Sequence, residues 1–309
     1  MIPPAGLRWL FKTRASRETS AGPELWTEEN PLFGHCAVVA VLTQDFLGGK
    51  IVSRFFPAEW AERFQNRSHY WNILTSGENV DLPRDQFPPE FPWDDFVNGR
   101  IGEPRGDDDK RDYILNVDAT RDRYIILRGR VQRFLRENQI FLDAKFQRCW
   151  ELAFSEKAKC PKMRFACLVY NRNRLVAEDV NRNMAEQFGR GRLCSLDGSK
   201  CYREGIRHRA DPSLGDCGHA IPWCLARVFG LGYRPSDLPR LDFYEQGFYP
   251  NGEPWFCPEP EYTCISCENI FAIFGLDKIW GVYDGRWQKL LTRDSFFNAV
   301  SYVLGEKKI

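Results

Sequence analysis

The chain has 309 residues, 43% hydrophobic and 14% aromatic, which is enough for two domains with substantial cores. Its 43 basic and 42 acidic residues leave a net charge of +1, so overall composition does not favour nucleic acid or anionic membranes as partners. We find no apolar run of about 18 residues and no secretory signal at the start, and we therefore expect a cytoplasmic protein without a membrane span. In that compartment the 11 cysteines are expected to be buried thiols, metal ligands or a nucleophile rather than disulfides.

The first informative stretch, ENPLFGHCAVVAVLTQDFLGGKIV, predicts an apolar helix that begins at Cys36 and ends at Gly48-Gly49. The stretch SHYWNILTSGENVDLPRDQF predicts two short strands, with His69 on the first and Asp81 on the second. A helix N-terminus favours a thiolate, a nearby histidine can act as base, and a carboxylate can orient that histidine. These residues form a candidate catalytic trio. The alternative is a buried cysteine, a structural histidine and a surface aspartate.

These stretches resemble the YunG family, whose members show G-[Q/H]-C-A, a Gly-Gly pair, S-H-Y-W-N and a D-L pair. The similarity runs from about Trp26 to Glu137 and includes TRDRYIILRGRV. The resemblance implies a papain-like or transglutaminase-like α+β domain, and proteins of those kinds place their catalytic trio in this chain order. It implies little about the activity itself.

Two changes in composition divide the chain. Residues 87–112 are rich in proline, glycine and charge, which predicts an irregular surface segment. In TRDRYIILRGRVQRFLREN, apolar residues recur at helical spacing opposite an arginine-rich face, which predicts the closing helix of a first domain. That face is interpreted as solvated or, alternatively, as phosphate-binding. We predict one domain over residues 1–138 and a second over 139–309.

The second half begins with AKFQRCWELAFSEKAKC, a predicted helix ended by Pro161, followed by a β-hairpin over MRFACLVYNRNRLVAEDVNR. The helix CGHAIPWCLARVFGLG comes next, then a proline- and aromatic-rich insertion over residues 232–262. The helix CISCENIFAIFGL, the strand DKIWGVYDG and a final helix complete the chain. The insertion is interpreted as a lid or interface whose aromatic rings stack on a base, or as a segment packed on the domain. The predicted fold class is α/β: an α+β domain followed by a three-layer α/β/α domain.

Three side chains of the second half have the chemistry of a zinc site. His219 opens one predicted helix, and Cys264 and Cys267 open the next. Zinc binds imidazole and thiolate, and three protein ligands leave the fourth position for a catalytic water. The alternative is a core histidine and two buried cysteines.

Together with the hairpin, these motifs resemble the cytidine deaminase superfamily, whose signature is H-x-E…P-C-x-x-C. The resemblance covers roughly Asp143 to Ile309. It implies that His219, Cys264 and Cys267 bind Zn²⁺ and that Asn181 contacts the substrate. It also implies that zinc activates a water for the hydrolytic deamination of a cytosine- or adenine-type base.

One departure from that signature is severe, because Ile221 stands where the superfamily has its proton-shuttling glutamate. An aliphatic side chain transfers no proton, and general acid–base catalysis contributes about 10²–10⁴-fold. The chain is expected to deaminate poorly unless Asp216 or Glu268 substitutes. A partner subunit of the heterodimeric tRNA adenosine deaminase also lacks this glutamate, which favours a non-catalytic zinc-binding subunit as an alternative. Thr263, in place of the proline, is a mild departure.

The partners implied by this interpretation are nucleobase-containing substrates, either nucleotides, DNA or RNA, with a possible homo- or hetero-oligomer. In the basic stretch CYREGIRHR, Arg207 is a candidate phosphate ligand, with a solvated charge patch as the alternative. Three hypotheses follow: a zinc-dependent deaminase-fold protein, active or inactive; a binding or regulatory protein; and a cysteine hydrolase or transferase that uses Cys36.

Overall fold

The computed structural model describes residues 1–106, 108–158, 160, 163–183, 217–218, 220–256, 270–271 and 273–290. The structure mixes helices and strands, which confirms the predicted α/β class. It divides into two compact units, Met1–Glu137 and Asn138–Ile309. Among the described helices, none is both long enough and apolar enough to cross a membrane.

The first unit consists of one sheet and the helices around it. Its helices are α1 (Pro4–Arg14), α2 (Cys36–Leu47), α3 (Ala58–Phe64), α4 (Trp93–Val97), α5 (Arg111–Leu115) and α6 (Asp118–Glu137). Its strands are β1 (Lys50–Phe55), β2 (Ser68–Ile73), β3 (Asn79–Val80) and β4 (Glu103–Pro104), which pair antiparallel in the order β3-β2-β1-β4. Short 3-10 helices cover Arg17–Thr19 and Leu82–Gln86.

Helix α2 lies at the centre of this unit and begins at Cys36, as predicted. Its residues 38–43 are buried, so tertiary packing stabilises a segment rich in β-branched residues that favour helix only weakly. The buried side-chain amide of Asn72 on β2 donates a hydrogen bond to the carbonyl oxygen of Ala40, 3.0 Å away. Since either group would be costly to leave unpaired, this bond helps fix α2 against β2.

Residues 87–112 were predicted to form an irregular surface segment. This prediction is wrong for the aromatic side chains of the segment, because four of them are buried. The segment contains α4, and it supplies four buried rings to one aromatic cluster. The buried members of this cluster are Phe56, Phe64, Trp71, Phe87, Phe91, Trp93 and Phe96. Proline and glycine content predicts an irregular backbone, but it does not predict whether the large side chains between them are exposed.

The second unit is built on a mixed sheet. Its described helices are α7 (Ala144–Ala153) and α8 (Ala220–Gly230), and its strands are β5 (Arg164–Asn171), β6 (Arg174–Val180), β7 (Arg182–Asn183), β8 (Cys217–Gly218), β9 (Leu241–Phe248), β10 (Pro254–Trp255), β11 (Ile279–Tyr283) and β12 (Arg286–Leu290). The sheet order is β12-β11-β9-β5-β6, with β10 paired to β9 and β7 paired separately to β8. Strands β9 and β11 are parallel, and the other pairs are antiparallel. Short 3-10 helices cover Gln139–Leu142 and Pro235–Arg240.

Helices cover both faces of this sheet. Apolar residues of α8 pack with Cys167 and Val169 of β5. Trp150 of α7 stacks on Phe248 of β9, with ring centroids 5.4 Å apart. Because side chains alternate along a strand, Phe243 and Phe248 of β9 lie on opposite faces. The described part of the unit therefore has the predicted three layers.

Two predictions for the second half need correction, and one strand was not predicted. The hairpin is confirmed as β5 and β6. However, the segment interpreted as an insertion supplies β9, which pairs with both β5 and β11, so its rings at Phe243 and Phe248 are core residues. Helix α7 ends at Ala153, well before Pro161. Strand β12 was not predicted, because its polar sequence RWQKL lacks the apolar pattern of a strand.

Candidate cysteine active site

The His69–Asp81 pair is the best-defined feature of the first unit. Nε2 of His69 lies 2.9 Å from each carboxylate oxygen of Asp81, and the histidine side chain is completely buried. Asp81 follows β3 and precedes the 3-10 helix at Leu82, so the prediction that it lies on the strand was off by one residue. Its backbone oxygen accepts a hydrogen bond of 3.0 Å from Arg8 of α1. The hydrogen bond from Arg8 therefore helps to hold Asp81 beside the imidazole.

The thiol of Cys36 lies against the same imidazole. Burial lowers the pKa of His69, but the charge and hydrogen bond of Asp81 and the proximity of Cys36 outweigh it and raise the pKa to about 9. Since Asp81 occupies Nε2, the nitrogen that remains for the thiol is Nδ1. Nδ1 is buried and makes no well-formed hydrogen bond within the described residues. The contact with sulfur is thus a close approach rather than an aligned bond.

Aromatic rings of the cluster surround this imidazole. Its ring centroid lies 5.3 Å from that of Phe87 and 5.4 Å from that of Trp93. These rings exclude water from the imidazole, and the faces of aromatic rings attract a positive charge nearby. The pair of His69 and Asp81 is therefore a charged pair in an apolar environment, where its attraction is only weakly screened.

The two residues before Cys36 set the start of α2. Gly34 has φ +72°, and a Cβ at this position would lie 2.5 Å from Oγ of Ser20. His35 is fully buried: Nδ1 lies 2.8 Å from the carbonyl oxygen of Phe33 and Nε2 lies 2.8 Å from Oγ1 of Thr19. Burial lowers the pKa of His35 to about 4. This histidine is a neutral structural residue, and the sequence analysis did not single it out.

Cys36 opens into a cavity of about 360 Å³. The cysteine is 7% exposed, and Ala37 and Val38 of the first turn of α2 also line the cavity. The first N–H groups of a helix lack partners within the helix, so they are available to a ligand in this cavity. The cavity thus brings the Cys36 thiol together with the first turn of α2, and the imidazole of His69 lies close to the same thiol.

Arg123 of α6 also lines this cavity, a position that was not predicted from the sequence. Its guanidinium donates from Nε to the carbonyl oxygen of Ala119 at 3.0 Å and from Nη2 to Oγ1 of Thr120 at 2.8 Å. The arginine face of α6 was interpreted as solvated or phosphate-binding as a whole. No local signal distinguishes Arg123 from the other arginines of α6, because packing decides which of them faces the cavity.

Most residues of the predicted zinc site lie outside the described residues: His219, Cys264, Cys267 and Arg207, together with the candidate substitutes Asp216 and Glu268. Within the described part of the chain, no three His, Cys, Asp or Glu side chains are grouped so as to hold a metal. The zinc site therefore stays a prediction.

Two residues of that prediction are described. Ile221, at the position of the missing glutamate, is completely buried in the apolar cluster between α8 and the sheet. Asn181 accepts a hydrogen bond of 2.8 Å from the backbone N–H of Phe165 and donates one of 3.0 Å to the carbonyl oxygen of Met163. Its amide thus ties the end of the hairpin to β5, and its role toward a substrate stays a prediction.

The first unit is an α+β domain in which His69 pairs with Asp81 and Cys36 lies close to the imidazole. Residues 4–136 match the family described as YunG protein, which confirms the predicted resemblance for this region. The uncharacterized protein YunG of Bacillus subtilis (strain 168) is 28% identical over 94 residues, which cover 30% of this chain and 71% of that protein. No solved structure matches the chain. None of these matches shows a cytidine deaminase-like second half.

Proposed function

We propose that the first unit is a cysteine hydrolase or acyltransferase in which Cys36 is the nucleophile. His69 is the acid–base group, and Asp81 holds it in position. The observation that carries this proposal is the pairing of one imidazole nitrogen with both oxygens of Asp81 at 2.9 Å, together with the proximity of Cys36 to the same imidazole. A protonated imidazole beside a thiol at a helix N-terminus favours the thiolate, which is the reactive form.

In the first half-reaction the Cys36 thiolate attacks the carbonyl carbon of an acyl donor. A carbon–sulfur bond forms, and the carbonyl π electrons move to oxygen. The N–H groups at the start of α2, including those of Ala37 and Val38, are placed to stabilise that oxyanion. The oxyanion then collapses, the bond to the leaving group breaks, and the imidazolium of His69 gives the leaving group its proton. The product is a thioester on Cys36.

In the second half-reaction neutral His69 takes a proton from water or from an acceptor alcohol or amine. The resulting nucleophile attacks the thioester carbonyl, the carbon–sulfur bond breaks, and the Cys36 thiolate and the imidazolium are restored. Asp81 stabilises the imidazolium at the start and the end of the cycle. It also fixes the ring so that Nδ1 faces sulfur.

The test is acylation by a small activated thioester, followed by peptide mass spectrometry. We expect a hydroxylamine-sensitive acyl group on the peptide that contains Cys36, and its loss in Cys36→Ser. Cys160→Ser is the matched control, because Cys160 is a free and partly exposed cysteine of the described residues. An acyl group that persists in Cys36→Ser and disappears in Cys160→Ser would overturn the proposal.

A second function, a zinc-binding deaminase-superfamily module in the second unit, is supported by one observation: a β-hairpin is followed by a helix that begins at Ala220, directly after His219. The burial of Ile221 favours the non-catalytic form of this proposal over the active deaminase. If zinc is bound by the expected ligands, metal analysis of the purified protein will find one equivalent, which Cys264→Ser removes and Cys160→Ser does not. A protein without zinc would rule this module out.

A further inference from the structure

Arg123 is a half-buried cation without an acidic partner among the described residues. Its two hydrogen bonds go to neutral oxygens of Ala119 and Thr120 and leave Nη1 unused. Two other arginines of α6 differ, since Arg121 pairs with Asp118 at 2.6 Å and Arg130 pairs with Glu18. A partly desolvated charge without a counter-ion is unfavourable, so the position is one that an anionic ligand would stabilise.

The guanidinium and the Cys36 sulfur share one electrostatic environment. Burial lowers the pKa of Arg123, and the charge of Cys36 acts in the opposite direction. Both line the cavity of about 360 Å³. Glu24 also lines it, but at its exposed margin, where water screens the carboxylate. Of these two charged lining residues, the half-buried Arg123 is therefore the less screened by water.

We propose that this cavity takes a small acyl donor that carries a carboxylate, and that Arg123 binds this carboxylate while Cys36 attacks the acyl carbon. The proposal rests on the cysteine chemistry proposed above. Arginine presents a planar fork that matches a carboxylate. Among the described lining residues Arg123 is the one cation, so the site balances a single negative charge rather than the larger charge of a phosphate.

Apolar side chains set the rest of the selectivity. Phe33, Phe87 and Val117 line the same cavity, so a short aliphatic or aromatic link between the carboxylate and the acyl carbon would be accommodated. A cavity of about 360 Å³ lies at the small end of ligand sites. This size favours a small-molecule donor over a long peptide.

The test compares two alkylating reagents of nearly equal size, iodoacetate with a carboxylate and iodoacetamide without a charge. The measured quantity is the ratio of their rates at Cys36, because a change in thiol reactivity affects both reagents and cancels. We expect Arg123→Gln to lower the iodoacetate-to-iodoacetamide ratio roughly tenfold. Arg123→Lys is expected to keep most of the ratio, and Arg121→Gln is the matched control on the exposed face of α6.

The outcomes separate this inference from the proposed function. If neither reagent modifies Cys36 faster than Cys160, the cysteine chemistry itself fails. If both modify Cys36 rapidly but the ratio is the same in wild type and Arg123→Gln, the cysteine chemistry stands and the carboxylate site is overturned. Melting temperatures of the three variants identify any loss of folding. If Arg123→Gln does not fold, Arg123→Lys decides the outcome: a retained ratio supports the carboxylate site, and a lost ratio overturns it.

Discussion

Both carboxylate oxygens of Asp81 lie 2.9 Å from Nε2 of His69. The imidazole is completely buried, so without this carboxylate it would be neutral. With it, the ring stays protonated at neutral pH, since the pKa of His69 is raised to about 9. The pair therefore supplies a positive charge next to Cys36 before any substrate binds.

Replacing the carboxylate removes that charge. In Asp81→Asn, burial acts on His69 without the opposing Asp81 charge, so we expect the pKa of His69 to fall from about 9 to below its ordinary 6.5. The measurement is an NMR titration of the ring resonances. Asp85→Asn is the control, because Asp85 pairs with Lys12 near the surface. A His69 that still titrates near pH 9 in Asp81→Asn would show that the carboxylate does not hold the proton.

The helix start at Cys36 and the His69–Asp81 pair could be predicted because each residue has a local signature: an apolar helix that begins at Cys36, a strand at His69, and an acidic residue in the turn-rich stretch that follows. Arg123 could not be predicted, because its role depends on which side of α6 faces the cavity, and that is decided by tertiary packing. The same holds for Phe87 and Trp93, whose proline-rich surroundings look like a surface loop in the sequence.

The two buried histidines predict opposite pH dependences of folding stability. His69 has a pKa of about 9 in the folded protein against 6.5 as its ordinary value, so its contribution is complete below pH 6.5 and lost as pH rises towards 9. His35 has a pKa of about 4, so its contribution is complete above pH 6.5 and lost as pH falls towards 4. Each shift corresponds to about 3 kcal/mol.

We therefore expect the free energy of unfolding to be highest near pH 6.5. Above pH 6.5 the free energy of unfolding should decline less steeply in His69→Gln than in wild type. Below pH 6.5 it should decline less steeply in His35→Gln than in wild type. Urea unfolding at closely spaced pH values measures both sides, and each variant serves as control for the other. An alkaline decline that is equally steep in His69→Gln would contradict the assignment.

Gly34 places Cys36 at the start of α2. Gly34→Ala combines a positive φ with a Cβ 2.5 Å from Oγ of Ser20, so we expect a loss of about 2–4 kcal/mol in the free energy of unfolding and slower alkylation of Cys36. Gly77→Ala is matched to it, because Gly77 also has a positive φ but no neighbouring atom within 4 Å of its Cβ. The expected loss there is about 1 kcal/mol. Equal losses in the two variants would mean that crowding at Gly34 has no effect.

Ile221 tests the packing of the second unit. Because the side chain is completely buried in an apolar cluster, Ile221→Glu should destabilise the protein by at least about 3 kcal/mol, whereas Ile221→Val should cost about 1 kcal/mol. Thermal unfolding compares the two. A glutamate variant as stable as wild type would show that the position faces a solvated pocket, as a deaminase would require.

In the second half the sequence predicted the hairpin and α8 because both have clear apolar periodicity. Strand β9 was missed because prolines and charged residues flank Leu241–Phe248 and made the region look like an insertion. Its identity as a strand depends on pairing with β5 and β11, and the local sequence does not show those long-range contacts.

The most direct test of the central claim is the rate at which iodoacetamide modifies Cys36 as a function of pH, in wild type and in His69→Gln. The pKa of Cys167 is raised by burial, so this residue provides a slow internal reference in the same digest. We expect rapid modification of Cys36 at pH 6–7 in wild type and at least about tenfold slower modification in His69→Gln. Slow modification that rises only at alkaline pH, with the same profile in both proteins, would contradict it.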